Sequence, residues 1–243
     1  MEQDDAPLVI GSAGQAALHG AVVEEAVLAL RPDYRALLVV VEGNAAGPSD
    51  ARSDAALTAA EAAARATIGA GPIEDLPPVA AWRDAYRSFG AKPQRTRHSL
   101  EALLRRVDGG LPRINRITDL YNAVSIRHLL PIGGEDLDRY VGPPRLLRAT
   151  GTEPFDTTAN GEDVVDHPEV GEVVWCDDVG VTCRRWNWRQ GRRTALQAET
   201  TDALFILDAL DPLDDAALDA AADDLVDLLA GFGPIRVGRR RLG

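Results

Sequence analysis

The chain has 243 residues, 45% of them hydrophobic, and a formal net charge of -12. That length and apolar content predict one large or two small globular domains with a sizeable core, and no apolar run approaches the ~20 residues a membrane span needs. The acidic start, residues 1–7, lacks the pattern of a secretory or transit peptide, so a cytoplasmic chain without a membrane partner is expected.

Cys176 and Cys183 are the only cysteines; in a cytosolic chain they read as small buried thiols rather than a disulfide. His19, His98, His128 and His167 have no ligand spacing, so no metal and no cofactor is expected. The acidic total argues against nucleic acid, because phosphate binding rests on Lys and Arg. Its distribution argues otherwise. Residues 83–116 carry nine basic against three acidic side chains, residues 184–193 add five arginines, and residues 202–227 hold nine aspartates and no base. The acid is therefore separable from a local positive surface.

In chain order, the apolar run at 36–42 predicts a strand buried on both faces. Residues 54–68 read as an Ala-rich helix stopped by Gly69, and 71–78 as a loop. The spacing of Trp82, Ala85, Tyr86 and Phe89 predicts a helix over 79–89, whose aromatic face either docks on a core or stacks on bases. Thr96 or Ser99 caps the next helix, with Leu100, Leu103, Leu104 and Val107 inward. A third helix, over 115–129, turns Ile117, Leu120, Val124 and Leu129 inward. Its opposite strip holds Asn115, Asp119, Asn122 and Ile126. Asn and Asp are poor helix formers, so this strip reads as a recognition surface.

Beyond Pro131 the texture turns to strands at 145–149, 172–176, 181–184 and 203–207. The middle two are joined by a hairpin with Gly180 at an expected positive φ. Residues 212–230 read as a surface helix with an aspartate-rich outer face. The expectation is an α/β (α+β) fold, a single compact unit with a mixed β-sheet and flanking helices. Its parts are an N-terminal α/β portion, 1–75, and a second portion, 76–243, packed as one globule. Leu38, Val40, Leu103, Leu104, Leu120, Val124, Val174, Phe205 and Ile206 are the expected core.

Three long words, WRDAYRSFGAKPQRTRHSLEALLRRV, GGLPRINRITDLYNAVSIRHLLPIGGEDLD and GEVVWCDDVGVTCRRWNWRQGRRTALQAETTDALFIL, cover about half the chain. In them the chain resembles stand-alone proteins related to the B3/B4 tRNA-editing domain of the phenylalanyl-tRNA synthetase beta subunit. The resemblance implies ester hydrolysis of a mischarged aminoacyl-tRNA, with tRNA as partner and no DNA expected. Asp119 and Asn122 match the synthetase module, as do Pro131 and Asp136, while Tyr121 replaces a threonine of the editing pocket. A histidine of that pocket falls at Gly133 here, and its tyrosine-reading glutamate is missing around residues 190–193. The departures imply a side chain other than tyrosine. Some freestanding relatives clear canavanine, an arginine mimic, from arginine tRNA.

On that resemblance Asn115, Asp119 and Asn122 are the candidate catalytic residues. Tyr121, Glu135, Asp136 and Asn187 are the candidate substrate contacts, because a guanidinium-like group calls for carboxylate partners. Glu135 and Asp136 also fit a helix-start cap. Arg95, Arg97, Arg184, Arg185, Trp186 and Arg189 are the candidate tRNA contacts, with Trp186 or Trp188 either stacking on the terminal adenine or filling the core. Two other readings stay open: a non-catalytic tRNA-binding module, and a hydrolase or binder of a small amino-acid-like metabolite.

Overall fold

The computed structural model describes residues 9–243; the acidic start on which the targeting expectation rests lies outside them. A short lead of α1 (Ser12–Gly20), β1 (Val22–Val23) and α2 (Glu25–Leu28) runs into β2 (Arg35–Glu42). β2 is the expected strand, and the alternation of its side chains explains why it is apolar throughout. Leu38 and Val40 enter one core, whereas Leu37, Val39 and Val41 enter another.

Four helices follow. In α3 (Ala51–Ile68) the carboxylate of Asp50 accepts from Arg52 N and Ser53 N, and Ser53 Oγ accepts from Asp50 N in return. The expected loop at 71–78 instead holds a 3-10 turn, Ile73–Asp75, and the start of α4 (Pro77–Ser88). Proline at the first helical positions supplies φ and lacks only an N–H that has no partner there. Trp82, Ala85 and Tyr86 of α4 are buried beside Tyr34 and Trp186, so its aromatic face docks on the core. α5 (Ser99–Leu104) is capped by His98 rather than Thr96 or Ser99. α6 (Arg116–His128) is capped by Asn115 and ends at Leu129 in the left-handed region.

Strands β3 (Ile132–Asp136) and β4 (Arg145–Arg148) precede a hairpin of β5 (Phe155–Ala159) and β6 (Glu162–Asp166). Then come β7 (Val173–Cys176), β8 (Val181–Arg184), β9 (Arg189–Gln190) and β10 (Ala203–Ala209), followed by α7 (Asp215–Ala230) and β11 (Arg236–Leu242). One sheet has the order β11-β2-β10-β3 and is antiparallel throughout; the other runs β1-β4-β7-β8-β9 with a single parallel pair, β1 and β4. The first sheet packs α6 and α7 on one face, and on the other meets α1, α4 and the second sheet. A third cluster joins α3, α5 and α6. The fold is the expected mixed α/β unit.

Three further details differ from expectation. Gly180 has no positive φ; glycine is required there because a β-carbon would collide with the carbonyl oxygen of Pro154. The turn is built by Asp177, whose Oδ1 accepts from Val179 N and Gly180 N. Of the nine expected core residues, only Leu103 is half-buried, since it faces a cavity. The aspartates of α7 are not merely solvated: Asp215, Asp219 and Asp223 pair with Arg239 and Arg241 of β11. Cys176 and Cys183 are free, buried thiols. Among the described residues no helix is long and apolar enough to cross a membrane.

Candidate functional site

A cavity of about 490 Å³ opens between α5, α6, the edge strand β3, β10 and the turn joining β8 to β9. Its depth depends on glycine. At Gly134 a β-carbon would stand 3.0 Å from the ring of Tyr121, so the bare backbone lets that ring lie against β3. At Gly133, where the resemblance places a synthetase histidine, a β-carbon would stand 3.4 Å from Nε2 of Gln190. Gln190 instead reaches over β3 and donates to Gly134 O at 2.7 Å.

The interior is acidic. Asp208, near the end of β10, accepts from the Tyr34 hydroxyl at 2.6 Å and from Asn187 Nδ2 at 3.2 Å, while Asn187 Oδ1 accepts from the Tyr86 hydroxyl at 3.0 Å. Glu135 on β3 accepts from the Tyr140 hydroxyl. Both carboxylates line the cavity, and neither has an ion-pair partner among the described residues. Burial pushes Asp208 up to about 7 against the opposing hydrogen bonds of Tyr34 and Asn187. Burial likewise pushes Glu135 up to about 7, opposed chiefly by Tyr140. Desolvation disfavours the charged form, and no cation among the described residues offsets it.

The turn that delivers Asn187 is unusual. Arg185 and Trp186 both have positive φ, 48° and 67°, a conformation that costs non-glycine residues roughly 1–3 kcal/mol each and persists only when its surroundings hold it. Here Trp186 is fully buried, edge-on to Tyr34 and Trp82 at centroid distances of 5.0 and 5.5 Å. Arg185 lies over the Trp188 ring at 4.6 Å and pairs with Glu172. These anchors hold the turn and aim Asn187 inward.

The mouth is basic. Arg95, Arg97, Arg105, Arg106 and Arg189 are exposed around it, and Arg95 and Arg106 make no ion pair among the described residues. Arg189 donates to Thr158 O of the hairpin. Thus the site presents cationic side chains to solvent and carboxylates within.

The structure separates the sequence-derived candidates. Tyr121, Asn122, Glu135 and Asn187 line the cavity, as do Arg95, Arg97, Arg189 and one side of Trp186. Asn122 lines the cavity and is 7% exposed. Asn115 does not reach the cavity; its Oδ1 accepts from Thr118 N at 2.8 Å. Asp119 is likewise apart, accepting from Ile114 N at 2.9 Å and Ser53 Oγ at 3.2 Å. The strip read as a recognition surface therefore turns mostly toward α3, and only Asn122 reaches the cavity. Asp136 accepts from Thr200 Oγ1 and Asp138 N, as the cap reading has it. Arg184 is buried between Glu172, at 2.8 Å, and Asp166, at 2.7 Å, and Arg185 stacks on Trp188; neither lines the cavity.

Sequence reasoning missed Asp208, Gln190, Arg105 and Arg106. Asp208 had a signal: an acid near the end of ALFILDA, an otherwise apolar strand buried on both faces, has to be neutralised, hydrogen-bonded or functional. Cys183 also borders the cavity, but burial holds its thiol well above the ordinary range, so it is not a ready nucleophile. Among the described residues no group of three or more His, Cys, Asp or Glu could hold a metal ion.

No curated protein matches the chain. Among solved structures it is similar to an N-terminal fragment of the phenylalanyl-tRNA synthetase beta subunit from Pyrococcus horikoshii, at 13% identity and a TM-score of 0.46. The similarity covers 91% of this chain and 53% of that one, so the chain spans about half the fragment's length. The B3/4 domain family model matches residues 81–233. Every residue placed around the cavity, from Arg95 to Asp208, lies inside that span, and the chain belongs to the B3/4 domain family.

Proposed function

We propose that this chain is a freestanding aminoacyl-tRNA deacylase whose pocket accepts a cationic amino acid, with canavanyl-tRNA(Arg) the leading substrate. The observation that carries the reading is the pairing of an arginine-lined mouth with two carboxylates inside the same cavity, Glu135 and Asp208, that have no cation partner among the described residues. An aminoacyl-tRNA has the complementary order. Its phosphates suit guanidinium groups outside, and a guanidinium-like side chain suits carboxylates within.

An aminoacyl ester is already activated, so hydrolysis needs a placed water and a donor for the tetrahedral oxyanion. One such donor lowers the barrier by about 3 kcal/mol. The carboxamide of Asn122 suits the role of donor or water-orienting group, and Asn187 and Gln190 are the other cavity amides. A carboxylate near pH 7 is suited to general-base work. Asp208 and Glu135 share that property, and a bound cation would draw both toward the ionised form. Trp188, backed by Arg185, offers a ring at the cavity wall for the terminal adenine. Asn115, Asp119 and Asp136 then serve the fold, and Arg184 and Arg185 support the turn.

The test is deacylation of tRNAs charged with canavanine, arginine, meta-tyrosine and tyrosine by the wild type and by Asn122→Ala. Selective release from a tRNA carrying a cationic amino acid, lost in the variant, is expected. Release from tyrosyl-type tRNA alone would overturn the substrate class. Binding of tRNA without release would indicate the RNA-binding module, and turnover of a free amino-acid ester, indifferent to Arg95→Gln and Arg97→Gln, would indicate the metabolite enzyme.

A further inference from the structure

Glu101 lies outside the roles assigned so far, yet it is fully buried and shared by three arginines. Arg83 of α4 donates from one terminal nitrogen to both carboxylate oxygens, at 2.9 and 3.0 Å. Arg105 donates from Nε to Oε1 at 2.9 Å, and Nε of Arg97 stands 3.7 Å from the same oxygen. His98 Nε2 is 3.8 Å away; burial pushes its imidazole down to about 3, so at neutral pH it adds no charge.

One anion thus gathers three cations, and the cluster is left with a positive excess. The attachment is selective in its geometry. Arg97 and Arg105 approach Glu101 through Nε, which leaves their terminal nitrogens for other partners, and both line the cavity mouth. Arg105 spends one terminal nitrogen on Glu74 at 2.6 Å. Arg105, hydrogen-bonded at its Nε, presents its remaining donors in a set direction, the condition for forked recognition of phosphate oxygens, and Arg97 is drawn toward the same carboxylate oxygen by charge, beyond hydrogen-bond distance. Arg83 is the only member of the trio absent from the cavity lining, and it takes both oxygens of the carboxylate. It is the fixed counter-ion of Glu101 in its buried place.

We infer that Glu101 is a positioning residue for RNA: it holds Arg97 and Arg105 at the mouth as a pre-formed grip for phosphates beside the terminal aminoacyl nucleotide. This rests on the deacylase reading for the identity of the polyanion, though not for the geometry of the grip. Ordering two long side chains before the ligand arrives removes that entropic loss from binding. Glu101 touches no substrate, so its removal acts on RNA affinity and leaves the chemistry at the cavity floor intact.

The test measures binding of an uncharged RNA minihelix with a single-stranded 3′ end, across a salt series, for wild type, Glu101→Gln, Arg97→Gln and the double variant. Wild type should bind with a salt-dependent affinity. Glu101→Gln should bind roughly tenfold more weakly, and adding Arg97→Gln to it should cost less than Arg97→Gln costs alone. KM for charged tRNA should rise with kcat kept, and an aminoacyl ester without phosphates should be cleaved by Glu101→Gln as by wild type. If Glu101→Gln does not fold, Glu101→Asp keeps the charge but draws it back by one methylene, and should give an intermediate affinity. Equal binding by wild type and a folded Glu101 variant, or additive losses, would overturn the inference while leaving the deacylase reading intact. Failure of the wild type to bind the minihelix would overturn both.

Discussion

Asn187 Nδ2 donates to Asp208 Oδ2 at 3.2 Å, tying the strained arginine-rich turn to the central sheet. The bond partly satisfies a carboxylate that has no cation partner among the described residues. Burial raises Asp208 from 3.8 to about 7. A carboxyl held more basic in the folded state contributes stability below its unfolded pKa and loses that contribution as pH rises through 7. For a shift of this size the loss is on the order of 4 kcal/mol. Asp208→Asn has no proton to lose, and the Tyr34 hydroxyl can accept from the new amide. The variant's stability relative to wild type should therefore increase between pH 4 and 7 and level off above. Urea denaturation at pH 5 and pH 8 checks this; a pH-independent difference contradicts it. The same variant should lose deacylation of the cationic substrate, so stability and activity should move in opposite directions.

Two arginines once grouped as RNA contacts should separate. Arg184 is buried between Glu172 and Asp166, and breaking such a pair costs roughly 3–5 kcal/mol. Arg184→Gln should show that loss in a denaturation curve. Arg95 is exposed at the mouth without an ion pair among the described residues. Arg95→Gln should leave the denaturation curve in place and reduce the salt slope of RNA binding by about one. The reverse pattern would exchange their roles.

Asp119→Ala should act on the fold. It removes the acceptor for Ile114 N and Ser53 Oγ, and a buried group left unsatisfied costs about 1–3 kcal/mol. At a temperature where the variant remains folded, its preference among charged tRNAs should match the wild type. Altered preference would return Asp119 to the substrate site.

Gly180→Ala should destabilise without any φ penalty. The added methyl meets the Pro154 carbonyl oxygen, and overpacking of this kind costs typically 1–3 kcal/mol. A crystal structure of the variant should show the β7–β8 turn displaced from residue 154. An unshifted turn with wild-type stability would contradict the contact.

Legibility in the sequence followed the strength of the local signal. The run at 36–42 and the period of Ile117, Leu120 and Val124 are carried by hydrophobic side chains, and both elements are in place. β3 was hidden because IGGED has neither alternation nor strand propensity; its glycines serve the approach of Tyr121 and Gln190. The hairpin Phe155–Asp166 was hidden by its aspartates, which pair with Arg184 and Arg192 rather than meet a core. At the site, Tyr121, Asn122, Glu135 and Asn187 were within reach of residue chemistry. Asp208 was absorbed into an acidic tally despite its place near the end of an apolar run, and β10's position between β2 and β3 makes it an interior group. Asn115 and Asp119 cap and brace the start of α6, and side chains that do so look the same in sequence as side chains that face a ligand.

The position of β2 also bears on the order in which the chain folds. β2 pairs with β10 from Ala203↔Val41 to Ala209↔Arg35, and with β11 from Arg236↔Glu42 to Leu242↔Ala36. Those ladders join residues far apart in sequence, so their loop-closure entropy has to be met before pairing can reward it. The helices α3 to α6 and the β5–β6 hairpin close over short distances and are expected to form early. The sheet that carries Asp208 is expected to zip up last, which makes recovery of substrate discrimination a late event in refolding and a sensitive reporter of its completion.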